Sequence, residues 1–383
     1  MASPSSEQAT TVVIERGALN VLIHALISAG YQVIGPTVGE GAIVYEPLES
    51  AEALPVGWID QQDGGRYRLV KSGRDACFDY VVGPQTWKRY LYPPNQRLWQ
   101  TQRRGKGFRV KEPVAEIPAY AFFGVRSCEI HAMQIQDRVF SEGRFTDPGY
   151  LARRERVFIV AVNCAHPAGS CFCASMNTGP KATGGYDLAL TELMDDKRHD
   201  FLGEAGSAEG AALLDNLPHR VAGADDIALA GETVAKAAQA MRREMIPEVA
   251  GLLKRNLEHP RWRQVAQRCL SCANCTMVCP TCFCTTAEDV TDLAGDTAER
   301  WRRWDSCFTL DFSYIHGGSI RREARSRYRQ WMTHKLSTWH EQFGCSGCVG
   351  CGRCLTWCPV GIDITEEARA IRDSEEGKHH GRD

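Results

Sequence analysis

The chain has 383 residues, 43% of them hydrophobic and 24% charged, with a formal net charge of -2. This is an ordinary composition for a globular protein of two or three domains, and the charge argues against a general affinity for nucleic acid. No stretch approaches the roughly 18 to 20 apolar residues of a membrane helix, and the N-terminus lacks a signal-peptide pattern, so we expect a cytoplasmic protein that is not membrane-bound.

Helical and strand-like patterns alternate from about residue 10 to residue 220. Gly17–Ala29 has helical apolar spacing and precedes a glycine, which predicts a helix. Ala119–Val125 and Val157–Val162 are continuous apolar runs, which predicts strands covered on both faces, with a helix at Glu129–Phe140 between them. Shorter strands are predicted at Tyr31–Ile34, Ala42–Tyr45 and Tyr67–Val70. We therefore assign residues 1–222 to an α/β domain with cysteine-rich loops.

The composition changes at residue 223. Ala224–Glu258 is rich in good helix formers and contains Pro247, so residues 223–260 are predicted to be a helical linker with a break or kink at the proline. Thr286 is predicted to cap a short helix through Asp292, and Arg321–Gln342 is predicted to be a longer helix. The interval 281–347 is thus expected to be largely helical.

These patterns predict an α+β protein in which the α/β domain precedes an α-helical ferredoxin-like domain at residues 261–365. The polar residues 366–383 are expected to be a mobile tail. The basic residues of Arg321–Lys335 indicate a solvated helix face or, alternatively, a docking surface for a partner.

Two cysteine runs with identical spacing carry the strongest chemical signal. They are Cys269-x-x-Cys272-x-x-Cys275-x-x-x-Cys279-Pro280 and Cys348-x-x-Cys351-x-x-Cys354-x-x-x-Cys358-Pro359. Three thiolates at this spacing hold three irons of a 4Fe–4S cubane, and the fourth cysteine of each run ligates the other cluster. We therefore expect two 4Fe–4S clusters, with one bound by Cys269, Cys272, Cys275 and Cys358, and the other by Cys348, Cys351, Cys354 and Cys279. Structural zinc instead prefers two separated ligand pairs.

Nine of the 17 cysteines lie outside the runs. Two of them follow predicted strands, and two form a Cys-Phe-Cys pattern that recurs at Cys282–Cys284. Ligands collect beyond the carboxyl ends of strands in an α/β sheet, so these four side chains could converge there. These four are a candidate site for a third iron–sulfur cluster: Cys128, Cys164, Cys171 and Cys173. The alternative is that buried cysteines act as small apolar residues, which is the interpretation favoured for Cys77 and Cys307. Cys345 extends the second run by one step and could compete as a ligand.

Nucleotide-binding and hydrolytic motifs are missing from the sequence. Gly39-Glu40-Gly41 is followed by Val44 where a dinucleotide fingerprint needs a third glycine, and there is no P-loop. No catalytic residue is therefore predicted, and the chain is expected to depend on partners for substrate chemistry.

The whole set of motifs resembles one family of redox subunits. The resemblance is carried by Gly124–Cys128, Ser170–Cys173 with Gly179-Pro180, Cys279–Cys284, Trp304–Cys307 and the second run through Asp363, and it extends over about residues 118–365. On these motifs the chain is similar to the β subunit of cytoplasmic, NADP-linked nickel–iron hydrogenases of the sulfhydrogenase type. It is similar also to the 4Fe–4S dicluster subunit of anaerobic sulfite reductase.

The resemblance implies a non-catalytic electron-transfer subunit of a hetero-oligomer. Its implied partners are a diaphorase subunit that binds FAD and NAD(P), a nickel–iron large subunit, and an iron–sulfur small subunit. One alternative is the electron-transfer subunit of an anaerobic, siroheme-containing sulfite reductase. The other is an enzyme that itself reduces sulfur compounds at its extra cysteines.

Overall fold

The structure is a computed structural model that describes residues 11–111, 117–195 and 198–380, with the backbone alone at 376–380. Residues 381–383 of the predicted tail lie outside the described residues. In chain order the described strands are β1 Thr11–Glu15, β2 Gln32–Gly39, β3 Ala42–Pro47, β4 Trp58–Asp63, β5 Arg66–Lys71, β6 Asn95–Arg104, β7 Gly107–Lys111, β8 Tyr120–Val125, β9 Val157–Val162, β10 Leu188–Met194, β11 His199–Ala205, β12 Arg220–Val221, β13 Thr285–Thr291, β14 Thr297–Trp304, β15 Tyr314–Ile315 and β16 Gly318–Ser319.

The described helices are α1 Ala18–Ser28, α2 Lys88–Leu91, α3 Ser127–Phe140, α4 Pro148–Arg154, α5 Ala208–Asp215, α6 Ala224–Gln239, α7 Val249–Arg255, α8 Arg261–Arg268, α9 Asn274–Met277, α10 Ala324–Thr333, α11 Trp339–Phe343, α12 Arg353–Thr356 and α13 Ile364–His380. A π-helical turn at His334–Thr338 joins α10 to α11. Within the described residues, no helix combines the length and apolar character that crossing a bilayer requires.

An eight-stranded sheet in the order β12-β1-β11-β10-β9-β8-β2-β3 organises the first half of the chain. Its centre is parallel, because β8 pairs in parallel with β2 and β9, and β9 with β10. Adjacent residues of β8 face opposite sides: Phe123 packs in the core that contains α1, and Phe122 in the core that contains α3. The predicted strands at 119–125 and 157–162 and the helix between them are confirmed.

A four-stranded sheet, β13-β14-β6-β7, corrects the helical prediction for the first part of the interval 281–347, whereas the helix predicted at Arg321–Gln342 is confirmed by α10, the π-helical turn and α11. The segment predicted to be a helix from Thr286 is instead the strand Thr285–Thr291, and it is followed by a turn in which the Asp292 carboxylate accepts the backbone N–H groups of Asp296 and Thr297. Strand β14 then pairs antiparallel with β6, which lies about two hundred residues earlier. The β-branched residues of β13 favour this pairing over a helix.

The helices of the second half form their own apolar core. Pro247 lies in a non-helical connection between α6 and α7, so the predicted linker helix ends earlier, at Gln239. The predicted mobile tail is also corrected, since α13 begins at Ile364 and buries Ala368 and Ile371 completely in this core. Apolar residues recur every three to four positions in this otherwise polar segment, which is the pattern of a helix with one buried face.

Candidate iron–sulfur centres

The two cysteine runs adopt the same backbone path. Cys269 follows α8, and the residues two and four positions after it, Ser271 and Ala273, have left-handed φ values of 53° and 67°. After Cys348, the equivalent residues Gly350 and Gly352 have φ values of 64° and 75°. A four-residue helix follows in both runs. Left-handed backbone disfavours side chains, so Ser271 and Ala273 indicate that the loop conformation is strongly imposed by its surroundings.

Backbone N–H groups point at the cysteine sulfurs. Ser271 N donates to Cys269 Sγ at 3.4 Å, and Gly350 N donates to Cys348 Sγ at 3.4 Å. Ile362 N donates to Cys358 Sγ at 3.3 Å. Hydrogen bonds to the sulfurs are one of the factors that set the reduction potential of a bound iron–sulfur cluster.

A first group of thiols lines a small cavity: Cys269, Cys272, Cys275 and Cys358 are in its lining, together with Cys354 of the second run. Burial raises the pKa of Cys275, and the neighbouring thiolates of Cys269 and Cys358 raise it further. Repulsion of this kind is relieved when the thiolates bind a cation. The apolar cavity, the set of four thiols and the N–H donors thus fit a metal cluster.

A second group of thiols is brought together by the other run. Burial raises the pKa of Cys354, and the nearby thiolates of Cys348 and Cys351 raise it further, followed by that of Cys279. Cys279 comes from the first run and Cys358 from the second, so each run contributes one cysteine to the group of the other. The structure brings cysteines of both runs close together, with Cys354 also in the lining of the first cavity, and their division into two ligand sets of four stays a prediction.

The separation of the thiols is too large for zinc. A tetrahedral zinc with Zn–S bonds of about 2.3 Å places its sulfurs about 3.8 Å apart. In the described part of the chain, one group of three potential ligands has all its ligand atoms within 4.8 Å of one another: Cys77, Glu192 and His199. This group contains no cysteine of either run. A cubane binds its thiolates on separate irons, which suits the wider spacing.

The Cys77 group has a structural explanation. The Glu192 carboxylate accepts the backbone N–H groups of Cys77 and Phe78 at 2.6 and 3.0 Å, and His199 Nε2 lies 2.7 Å from it. The carboxylate thereby holds a loop against β10 and β11, and Cys77 is 2% exposed.

Lys335 is a site residue that the sequence did not reveal. It lies in the basic stretch predicted to be a surface, yet it is 3% exposed within the π-helical turn. Its Nζ donates to Cys279 Sγ at 3.3 Å, to Thr281 Oγ1 at 2.8 Å and to the Gly347 carbonyl at 2.9 Å. Burial would lower its pKa, but the Cys279 and Cys282 thiolates outweigh that effect and raise it. The second thiol group therefore contains a protonated ammonium.

Arg353 ties the second run to the α/β half of the chain. Its side chain is 0% exposed, and Nη2 donates to Glu129 Oε1 at 2.5 Å. Its Nε donates to the Gly83 carbonyl at 2.9 Å, and Glu129 also accepts from Tyr45 and Trp87. The loop that carries Cys351 and Cys354 is thus fixed by a buried ion pair.

The cysteines outside the two runs, apart from Cys77, lie in two regions. Cys282, Cys284 and Cys307 lie near Lys335, where the Cys307 thiol donates to Cys284 and lowers the Cys284 pKa to about 7. Cys345 packs beside Cys128 and Cys173. The predicted third-site residues Cys128, Cys164, Cys171 and Cys173 are all buried.

Comparison with known proteins gives the family. Residues 268–362, which hold all eight cysteines of the runs, match the 4Fe-4S dicluster domain family. The chain is 30% identical to Sulfhydrogenase 2 subunit beta of Pyrococcus furiosus over 321 residues, which is 80% of this chain and 89% of that protein. The chain belongs to the sulfhydrogenase β-subunit family. As a member of this family with a dicluster domain, it is an iron–sulfur electron-transfer protein, which confirms the expected chemistry.

Proposed function

We propose that this sulfhydrogenase β-type subunit relays electrons in the cytoplasm between a nickel–iron hydrogenase module and the diaphorase subunit that binds FAD and NAD(P). Its proposed partners include an iron–sulfur small subunit. The observation that carries the proposal is that Cys279 lies near Cys354 of the second run and Cys358 near Cys275 of the first, because crossed ligation by two four-cysteine runs is characteristic of two-cluster ferredoxins. The match to Sulfhydrogenase 2 subunit beta supports the choice of complex.

The proposed ligands of the first cluster are Cys269, Cys272, Cys275 and Cys358, and those of the second are Cys348, Cys351, Cys354 and Cys279. Each cluster supplies one-electron carrier chemistry when bound. The protein excludes water with the apolar lining of the first cavity, which includes Phe308 and Tyr328, and directs N–H donors at the sulfurs. Residues 261–365 are the proposed dicluster domain, residues 1–222 the α/β domain, and 223–260 the segment that links them.

The first thiol group has an exposed edge that suits transfer to a partner. Cys272 is exposed, and its neighbour Leu270 is 64% exposed. Cys279, Cys348 and Cys351 of the second group are buried. We therefore propose that the first cluster exchanges electrons across a subunit interface and that the second passes them within the chain.

The assembled complex tests this function. The Cys272→Ala variant should lose NAD(P)H-dependent hydrogen production by at least about tenfold, because one proposed ligand of the exposed cluster is missing. NAD(P)H-driven and hydrogen-driven reduction of a viologen dye should both persist, since each uses only a partner's own centre. All three activities are measured anaerobically on the purified complex.

The matched control is Cys77→Ser, which should leave all three activities unchanged because Cys77 lies apart from both groups. Retention of coupled activity in Cys272→Ala would contradict the relay. Purification with a siroheme protein and without nickel would assign the chain to a sulfite reductase instead.

Lys335 is expected to set the potential of the second cluster. In Lys335→Met, the positive charge and the N–H donor to Cys279 Sγ are lost, and both stabilise the more negative, reduced state. The midpoint potential should fall by about 60 mV, equivalent to about 1.4 kcal/mol for one electron. An anaerobic EPR-monitored redox titration measures the shift. The exposed Lys236→Met serves as control, and equal potentials in both variants would refute the assignment.

A further inference from the structure

Three separate segments bring cysteines to one end of the parallel sheet. Cys128 lies in the first turn of α3, just after β8, and Cys164 lies two residues after the neighbouring strand β9. Cys171 and Cys173 lie on the loop that follows. All four side chains are 4–8% exposed. Strands β8 and β9 are parallel, so their carboxyl ends, where ligands collect in such sheets, coincide.

The segment Gly179–Lys181 shows that these chain segments converge. Cys164 N donates to the Pro180 carbonyl at 3.3 Å, and Ser127 Oγ donates to the Lys181 carbonyl at 2.9 Å. A Cβ atom on Gly179 would stand 3.1 Å from Cys173 Sγ and 3.4 Å from Ser127 Cβ. Cys128 and Cys173 pack in one cluster of buried side chains. Glycine at 179 thus leaves room for a sulfur beside the start of α3.

A buried arginine faces the same place without a carboxylate partner. Arg126 is 2% exposed, and its guanidinium donates to the carbonyls of Phe78, Tyr80 and Asn163 and to Cys164 Sγ at 3.8 Å. Across the described ranges, no carboxylate lies within ion-pair distance of this guanidinium, and Glu129 is paired with Arg353 instead. A buried charge without a counter-ion is strongly unfavourable. A 4Fe–4S core bound by four thiolates is anionic and would supply the missing charge.

The same loop touches the second run directly. Phe172 N donates to the Gly350 carbonyl at 2.8 Å, and Thr178 Oγ1 donates to the Val349 carbonyl at 2.6 Å. Cys173 and Cys351 belong to one packing cluster, whereas Phe172 packs into the core of the helical half. A cofactor bound at Cys173 would therefore be the immediate neighbour of the proposed second cluster.

We propose that Cys128, Cys164, Cys171 and Cys173 bind a third iron–sulfur cluster of the 4Fe–4S type next to Cys351. On binding, each thiol releases its proton to solvent and the thiolate ligates one iron. Zinc is a poorer fit, because no three of these sulfurs, all of them among the described residues, lie together within 4.8 Å. The site adds a third centre to the proposed relay, and so it rests on the proposed function.

Iron and acid-labile sulfide are counted in the anaerobically purified chain, after reconstitution with ferric and ferrous iron and sulfide. The expected wild-type content is about twelve irons, and the double variant C171S/C173S should hold about eight. Cys77→Ser removes an equally buried cysteine elsewhere and should retain about twelve. In addition, the EPR signal of the reduced wild-type protein should integrate to about three spins per chain. This measurement does not depend on the folding of any variant.

Each outcome separates the inference from the function it rests on. About eight irons in the wild type would overturn the third cluster and leave the relay intact. Twelve irons in both wild type and double variant would overturn the assignment to these cysteines. A chain without iron would overturn the proposed function itself.

Discussion

Replacing Gly350 with alanine is expected to destabilise the protein by about 2–5 kcal/mol and to reduce its iron content. The left-handed φ of 64° disfavours a side chain by about 1–2 kcal/mol. The new Cβ would also stand 2.7 Å from the backbone N and Cα of Cys173, and overpacking of this kind costs about 1–3 kcal/mol. Because the obstacle is backbone, it cannot rotate away. The loop must shift, and the N–H donor to Cys348 Sγ shifts with it.

Gly344→Ala is the matched control for this substitution. Gly344 has a left-handed φ of 71°, but no atom lies within 4 Å of the position its Cβ would take. The Gly344→Ala variant should therefore lose only the conformational contribution to the free energy of unfolding, about 1–2 kcal/mol. Denaturant unfolding and iron content are measured anaerobically for both variants. Equal losses would show that the close approach between residues 350 and 173 does not exist in solution.

Replacing Glu129 with glutamine is expected to destabilise the protein by about 3–5 kcal/mol, since Arg353 is left as an unpaired buried charge. The Glu129 and Arg353 side chains are 1% and 0% exposed. Glutamine keeps the shape and one acceptor oxygen, so the loss reports the charge and not a cavity. We also expect lower iron occupancy, because Arg353 lies between two cysteines of the second run.

Glu232→Gln provides the comparison on the surface. Glu232 pairs with Lys236 one helical turn away, and both side chains are more than half exposed. Such pairs contribute about 0.3–0.5 kcal/mol. Anaerobic urea denaturation at neutral pH measures both variants. A loss of less than about 1 kcal/mol in Glu129→Gln would mean that Arg353 reaches another anion or water.

The sequence predicted best where local pattern and chemistry coincide. The strand Val157–Val162 is a continuous apolar run with the bounds that the structure has, because burial on both faces leaves an unambiguous signal. The dicluster character of residues 268–362 was predictable as well, because the geometry of a cubane dictates the spacing of its ligands.

Features that depend on distant partners were not predictable. Strand β13 looked helical because the sheet that contains it depends on a distant segment. It pairs with β14, and β14 pairs on its other side with β6, far away in the chain. Lys335 looked like a surface residue because its neighbours in sequence are basic, and only the packing of the second run against the π-helical turn buries it. Arg353 and Glu129 are 224 residues apart, and no local pattern predicts their contact.

The sheet that joins β6 to β14 has a consequence for modular evolution. Here the segment that matches the dicluster family begins at residue 268, yet one of its strands needs a partner from residues 95–104 to satisfy its backbone donors and acceptors. A cut before residue 268 would leave an open strand edge on both pieces. Transfer of the cluster-binding half without residues 95–104 would therefore break this sheet.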